Sequence, residues 1–157
     1  FNIMGVMDEE YFYKEKTELA PEAQKDADHV CDNLRMKFIK DWALNKNLDT
    51  YKTDAERDWA YIVKREYRFA VILRSFFDGM FVGNLLQLAV SFSRKRLVFS
   101  PLFLAWPAVY YWQIGKRFNQ HNRRFFEMLN VGTEFELGAE RNRVLEECNR
   151  IARRADF

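Results

Sequence analysis

The chain has 157 residues, a length that suffices for one domain or one membrane subunit. Its formal net charge of +2 is too close to neutral to favour a nucleic-acid partner. Aromatic residues make up 17% of the chain, whereas glycine and proline are sparse, a balance that favours long helices facing lipid or a partner. Mean hydropathy is nevertheless negative, so much of the chain should lie in water. These features predict an all-α membrane protein with polar extensions.

The first 52 residues are predicted to form an arm followed by an amphipathic helix in water. Residues 1–20 lack the apolar stretch of a signal or transit peptide. Residues 1–19 show no clean period, so we expect an extended arm that lies on a partner. Pro21 suits the first turn of a helix that continues to Leu44. Its apolar positions recur at helical spacing: Ala27, Val30, Cys31, Leu34, Phe38 and Trp42.

One long helix is predicted over residues 53–92, starting in water and ending in an apolar environment. Thr53 and Glu56 have the Thr-x-x-Glu spacing of a capping box, in which both side chains satisfy backbone N–H groups at a helix start. From residue 69 to its end the helix carries only two charges. This part is about 36 Å long, which suffices to span a hydrocarbon core about 30 Å thick.

Two patterns within this first span predict contacts with protein neighbours. Gly79-x-x-x-Gly83 is the spacing that lets two helices approach closely in lipid, and it lies at the centre of a ridge of small or hydrogen-bonding residues. Arg74 and Asp78, one turn apart on another side, are expected to form an intramembrane ion pair. We favour a structural pair covered by neighbouring subunits over an ion path. The predicted helix-packing row consists of Ser75, Gly79, Gly83, Gln87 and Ser91.

A second apolar run, residues 97–114, contains no charge and predicts a second span of about 27 Å. Pro101 suits the start of its helix, and Pro107 should kink that helix. A short basic turn joins the two runs, so residues 53–114 should contain an antiparallel hairpin. Basic residues at its two ends are expected to bind the headgroups of anionic phospholipid: Arg94, Lys95, Arg96, Lys116 and Arg117.

Residues 115–157 are predicted to form helices in water that pack against the helix of residues 21–44. Both termini then lie on one side of the membrane, and the larger number of basic residues near them predicts the cytoplasmic or matrix side. Cys31 and Cys148 are expected to be reduced thiols on helix faces, with a disulfide between them as the alternative. The apolar positions that mark these helices are Phe118, Phe125, Phe126 and Leu129, then Val144, Leu145, Cys148, Ile151 and Ala152.

No motif nominates a catalytic site, a cofactor site or a metal site. The histidines and cysteines, His29, Cys31, His121 and Cys148, lack the spacing of any recognised zinc site. Phosphate-binding loops, nucleophile elbows and zinc-protease motifs are absent from the sequence. We therefore expect a protein that is not an enzyme.

Several short motifs between residues 69 and 128 resemble one known family. They are Gly79 with Asn84-Leu85, the basic Arg94-Lys95-Arg96, Tyr110-Tyr111, Lys116-Arg117 and Arg124-Phe125-Phe126-Glu127-Met128. This part resembles the small two-span accessory subunit of the membrane arm of mitochondrial complex I. The shorter turn, the lack of a proline after the basic cluster and the N-terminal helices depart from that family.

The resemblance implies a non-catalytic accessory subunit of a respiratory complex in the mitochondrial inner membrane, which packs against core subunits and stabilises the assembly. An accessory subunit of ATP synthase or of another inner-membrane complex is one alternative. A stand-alone membrane enzyme or carrier that uses Asp78 is a second alternative. A soluble helical protein whose core is the apolar hairpin is a third, which the charge-free second run disfavours.

Overall fold

The computed structural model describes residues 21–154, and most of these residues are helical, with no β-strand among them. They form five α-helices: α1 (Pro21–Ile39), α2 (Asp54–Tyr67), α3 (Arg74–Ser93), α4 (Trp106–Met128) and α5 (Glu136–Arg154). Shorter π-helical segments span Lys40–Leu44 and Arg68–Leu73, and 3-10 turns span Leu48–Thr50 and Pro101–Ala105. The all-α prediction is confirmed for this part of the chain, whereas the arm predicted over residues 1–20 lies outside it.

The helices α2 and α3 belong to one continuous helix of 40 residues, Asp54–Ser93. The π-helical segment Arg68–Leu73 joins them and, by adding a residue to the turn, rotates the inward face of α2 relative to that of α3. Tyr67, at the end of α2, packs edge-on against Phe118 and Phe125 of α4, with ring centroids 5.2 and 6.2 Å apart. The rotation therefore allows both halves of the long helix to face α4.

A four-helix bundle encloses the apolar core of the molecule. It consists of α1, α2, α5 and the C-terminal half of α4. The buried core residues are Phe38, Ile39, Ala43, Val63, Val71, Phe118, Phe125, Phe126, Leu129 and Leu137. Burial of each large side chain among them contributes about 1.5–3 kcal/mol to folding.

The second apolar run is not a single helix, contrary to the prediction. Residues 97–100 are non-helical, a 3-10 turn follows, and α4 begins only at Trp106. Pro107 lies in the first turn of α4, directly after the 3-10 turn, so the change from 3-10 to α-helix occurs beside this proline. The run therefore passes through two other conformations before it becomes α-helical.

The predicted capping box at the start of α2 has a different hydrogen-bonding pattern from the one expected. The Thr53 hydroxyl donates to Glu56 Oε2 at 2.7 Å, and the second carboxylate oxygen, Oε1, accepts the backbone N–H of Leu137 in α5 at 3.0 Å. The Glu56 side chain, which lies in the bundle, is 3% exposed because the N-termini of α2 and α5 meet there. Burial raises the pKa of Glu56, but the hydrogen bonds from Leu137 and Thr53 outweigh it and leave the pKa below its ordinary value.

Candidate functional site

The hairpin formed by α3 and the segment leading into α4 exposes most of the large apolar side chains on the described surface. Of the 17 such side chains that are exposed, 14 lie between residues 69 and 112, and the other three are Val30, Trp59 and Tyr61. On the outer side of the long helix they are Phe69, Leu73, Phe77, Phe81, Leu85, Leu88 and Phe92. An apolar surface of this extent is typical of a site that contacts a membrane or another protein.

One described helix, Asp54–Ser93, is long and apolar enough to cross a membrane, judged by its length and composition. Within its most apolar 18 residues, only 22% are buried inside the protein. The core helix of a protein in water would be mostly buried. In the apolar part of this helix, most residues are instead exposed or half-buried.

The inner side of the hairpin is formed by small residues that bring two backbones together. A β-carbon at Gly79 would lie 2.9 Å from the backbone oxygen of Trp106, and one at Gly83 would lie 3.1 Å from that of Phe103. Both approaches are tighter than ordinary van der Waals contact, so only glycine fits without a shift of the neighbouring backbone. Of the predicted helix-packing row, Ser75, Gly79, Gly83 and Ser91 are buried and Gln87 is half-buried. The chain's own second segment occupies the glycine part of this row.

Gln87 and Ser91 hold the non-helical stretch before α4. The Gln87 side chain donates to the carbonyl of Val98 through Nε2 and accepts the N–H of Ser100 through Oε1 at 2.8 Å. The Ser91 hydroxyl also donates to the Val98 carbonyl, at 3.3 Å. These bonds satisfy backbone groups that lie outside any helix, which matters most where water is excluded. The sequence pattern assigned these two residues to helix packing and did not indicate this role.

The basic turn ends α3 with a Schellman motif. Lys95 has a φ of 50°, in the left-handed region, and its N–H bonds to the carbonyl of Phe92 at 3.2 Å. The N–H of Arg96 bonds to the carbonyl of Ser91 at 3.2 Å, which completes the motif. The side chains of Arg94, Lys95 and Arg96 are all exposed at this tip. They form one basic end of the hairpin.

The predicted ion pair between Arg74 and Asp78 is replaced by a pair between two helices. Asp78 of α3 accepts a hydrogen bond from Arg117 of α4, which lies 39 residues away in the sequence. Antiparallel packing of α3 against α4 brings the two side chains together, and Arg117 is only 17% exposed as a result. Asp78 therefore does not require a second protein neighbour.

Lys116 and Arg117, the second group of predicted headgroup ligands, lie in different environments because Arg117 pairs with Asp78. Lys116 is exposed, with its Nζ 5.1 Å from the centroid of the Trp112 ring. Arg117 instead turns towards Asp78 and is mostly buried, so it is poorly placed to meet a headgroup. At this end of the hairpin Lys116 is the accessible member of the predicted pair.

Cys31 and Cys148 face each other between α1 and α5, and within the described part of the chain no disulfide joins them. The Cys31 thiol donates to the carbonyl of Cys148 at 3.7 Å, and the Cys148 thiol donates to the carbonyl of Cys31 at 3.9 Å. The hydrogen bond with Cys31 and burial raise the pKa of Cys148 well above its ordinary value. Such a thiol is a poor nucleophile, so this pair belongs to the interior packing.

No group of three or more His, Cys, Asp or Glu residues in the described range converges to hold a metal ion. The sequence matches no protein-family model and no curated protein.

Proposed function

We propose that residues 69–114 form a two-span transmembrane hairpin and that the bundle lies in water beside the membrane. The observation that carries the proposal is the arrangement of the hairpin, whose large apolar side chains face outwards while Gly79 and Gly83 face inwards. The 20 residues of α3 rise about 30 Å, which equals the thickness of a hydrocarbon core. An outward apolar surface of this length is favourable in lipid and unfavourable in water.

The second span is proposed to cross in mixed conformation. Its extended part, residues 97–100, covers roughly 13 Å, and the 3-10 turn of five residues covers roughly 10 Å. Residues 106–114 of α4 add roughly 13 Å, so the total length exceeds one hydrocarbon thickness. Non-helical backbone is tolerated within a membrane only where its polar groups are bonded inside the protein. The hydrogen bonds that Gln87 and Ser91 donate to the Val98 carbonyl, and the one that Gln87 accepts from Ser100, support the proposal on this point.

For the biological role we propose a non-catalytic accessory subunit of a respiratory complex in the mitochondrial inner membrane, with complex I as the first choice and the termini on the matrix side. The sequence resemblance between residues 69 and 128 supports this assignment. The row of exposed side chains that includes Phe77, Phe81 and Leu85 offers a surface for core subunits and for lipid. In this role the subunit stabilises its complex and holds anionic phospholipid with the basic residues at the ends of the hairpin.

Copurification tests the accessory role. The tagged full chain is isolated from its native membranes in a mild detergent, and the proteins that accompany it are identified by mass spectrometry. We expect the subunits of complex I at near-stoichiometric amounts. Subunits of ATP synthase would reassign the chain to that complex, and recovery of the chain alone would contradict an accessory role.

A substitution pair tests whether the hairpin is needed for assembly. Gly79→Leu should separate the subunit from its complex on a native gel, because the larger side chain pushes Trp106 away and opens the hairpin. Gly115→Leu is the matched control, since the described residues leave open space within 4 Å of a β-carbon at Gly115. Equal comigration of both variants with the complex would count against the proposal.

A further inference from the structure

Arg74 is an exposed cation on the apolar helix α3. Asp78, one turn further along, is paired with Arg117, and no carboxylate among residues 21–154 lies within ion-pair distance of the Arg74 guanidinium. An arginine that faces hydrocarbon is unfavourable unless its guanidinium reaches the membrane surface or meets an anion. The depth of Arg74 in the proposed membrane therefore indicates which kind of anion its guanidinium can bind.

The contacts of Gly79 give that depth. Its backbone lies against Trp106 and Tyr110 of α4, and the two helices run antiparallel. Arg74, five residues before Gly79, is consequently level with the part of α4 just beyond Tyr110. Tyr111 and Trp112 lie in that part and are 71% and 62% exposed. Exposed tyrosine and tryptophan are typical of the interface between lipid and water, which puts Arg74 at the level of the headgroups.

The opposite end of α3 is consistent with this depth. Arg94 follows Arg74 by 20 residues, a rise of about 30 Å along the helix. Arg74 and the basic turn at Arg94 therefore lie about one hydrocarbon thickness apart. Asp78 is the one charge between them, and it is paired with Arg117.

We infer that Arg74 binds the phosphate of an anionic phospholipid in the leaflet next to the bundle, an inference that rests on the proposed membrane hairpin. A guanidinium presents two parallel N–H groups to a phosphate, which makes it a stronger phosphate ligand than an isolated ammonium. Phe77, Phe81 and Leu85 follow Arg74 at i+3, i+7 and i+11, and all three are exposed. This side of α3 thus begins with the Arg74 cation and continues into the membrane as a row of apolar side chains.

This order matches a phospholipid better than it matches an acidic protein segment. A lipid has its anion at the interface and its acyl chains directly below it, so one molecule would satisfy the Arg74 charge and cover the apolar row. Lys116, exposed near the same level, adds a second cation that favours a negatively charged headgroup.

Native mass spectrometry in a mild detergent tests the inference by titrating phosphatidylglycerol against the purified full chain, with phosphatidylcholine as the neutral comparison. Arg74→Gln should weaken phosphatidylglycerol binding about tenfold or more, as expected for the loss of a charge-assisted bidentate contact. Arg65→Gln is the control, because it removes the same charge from an exposed position in the bundle. Arg74→Lys should retain part of the affinity, and circular dichroism checks that all variants keep their helix content.

Equal phosphatidylglycerol affinity of the Arg74→Gln variant and the wild type would overturn the inference. Loss of copurifying subunits from Arg74→Gln with unchanged lipid binding would also overturn it, and would assign Arg74 to a protein carboxylate. Insertion of the wild type into phosphatidylcholine vesicles is measured in parallel by flotation. Failure of the wild type to insert would overturn the membrane hairpin itself. If the wild type inserts and Arg74→Gln keeps the same lipid preference, only the role of Arg74 is overturned.

Discussion

The bundle and the hairpin of this protein are built on opposite packing rules. In the bundle, large side chains such as Phe125 and Phe126 are buried and the surface is charged. In the hairpin, glycines and serines are buried, and Phe77 and Phe81 are 62% and 65% exposed. Water drives large apolar groups inwards, whereas in lipid helices associate through close backbone contact between small residues. One continuous helix takes part in both arrangements, and its π-helical segment lies where they meet.

The largest difference between the two regions should appear when a phenylalanine is truncated in each. Phe126→Ala removes a fully buried ring that packs edge-on against Phe38 at 5.6 Å, and should lower the free energy of unfolding by about 3–5 kcal/mol. Phe81→Ala, the matched change on the hairpin, should lower it by less than about 1 kcal/mol in detergent. Denaturant unfolding followed by circular dichroism measures both, and equal losses would contradict the distinction.

Adding a methyl group should distinguish the inside of the hairpin from open positions. Gly79→Ala should destabilise the protein by about 1–3 kcal/mol, since the new β-carbon would meet the Trp106 backbone oxygen at 2.9 Å. Gly115→Ala should instead stabilise α4 by about 0.5–1 kcal/mol because alanine is the better helix former. Thermal unfolding in detergent gives the sign of each change, and a stabilising effect of Gly79→Ala would refute the close approach.

The polar groups inside the hairpin give a third test. Gln87→Leu leaves the Ser100 N–H without its side-chain partner and leaves the Val98 carbonyl with the Ser91 hydroxyl alone, which should cost about 1–3 kcal/mol. Asn84→Leu, at an exposed position of the same helix, should cost much less. Hydrogen exchange at the Ser100 amide reports the effect locally. Unchanged protection of that amide in the Gln87 variant would show that the bond is unimportant.

In the bundle, the hydrogen bonds of the Glu56 carboxylate should make the free energy of unfolding depend on pH. The folded pKa of Glu56 lies below the ordinary value of 4.5, so its carboxylate stabilises the fold above that pH, and the contribution is lost as the pH falls through the lower folded pKa. Glu56→Gln keeps one acceptor oxygen and should lose about 1–2 kcal/mol at neutral pH. Its stability should also vary less with pH than that of the wild type below pH 4.5, and an identical acid profile would argue against the contact.

The smallest effect is expected at the basic turn. Lys95→Gly removes the strain of a left-handed backbone conformation, and the greater entropy of the unfolded glycine chain offsets part of that gain. The substitution should therefore stabilise the protein by less than about 1 kcal/mol. Arg94→Gly should destabilise it, because Arg94 keeps a right-handed helical conformation at the end of α3. Thermal unfolding of the two variants should therefore give shifts of opposite sign.

Periodicity was sufficient to predict the helices of the bundle, because apolar residues at helical spacing must face a common side. It also revealed the row that includes Gly79 and Gly83, since small residues four positions apart are visible without tertiary information. The partner of Asp78 could not be predicted in this way. Arg74 was the nearest candidate along one helix, whereas Arg117 comes close only through the register of α3 against α4. The hydrogen bond that the Leu137 N–H donates to Glu56, 81 residues away, depends on tertiary packing in the same manner.

The central claim is that lipid surrounds the outer face of the hairpin, and spin-label accessibility tests it most directly. A nitroxide is attached at Phe81→Cys and, as the bundle control, at Tyr61→Cys, in a chain whose buried Cys31 and Cys148 are replaced by alanine. In vesicles, the label at position 81 should collide more often with dissolved oxygen than with a water-soluble nickel complex, and the label at position 61 should show the reverse. Preference for the nickel complex at both positions would contradict the account.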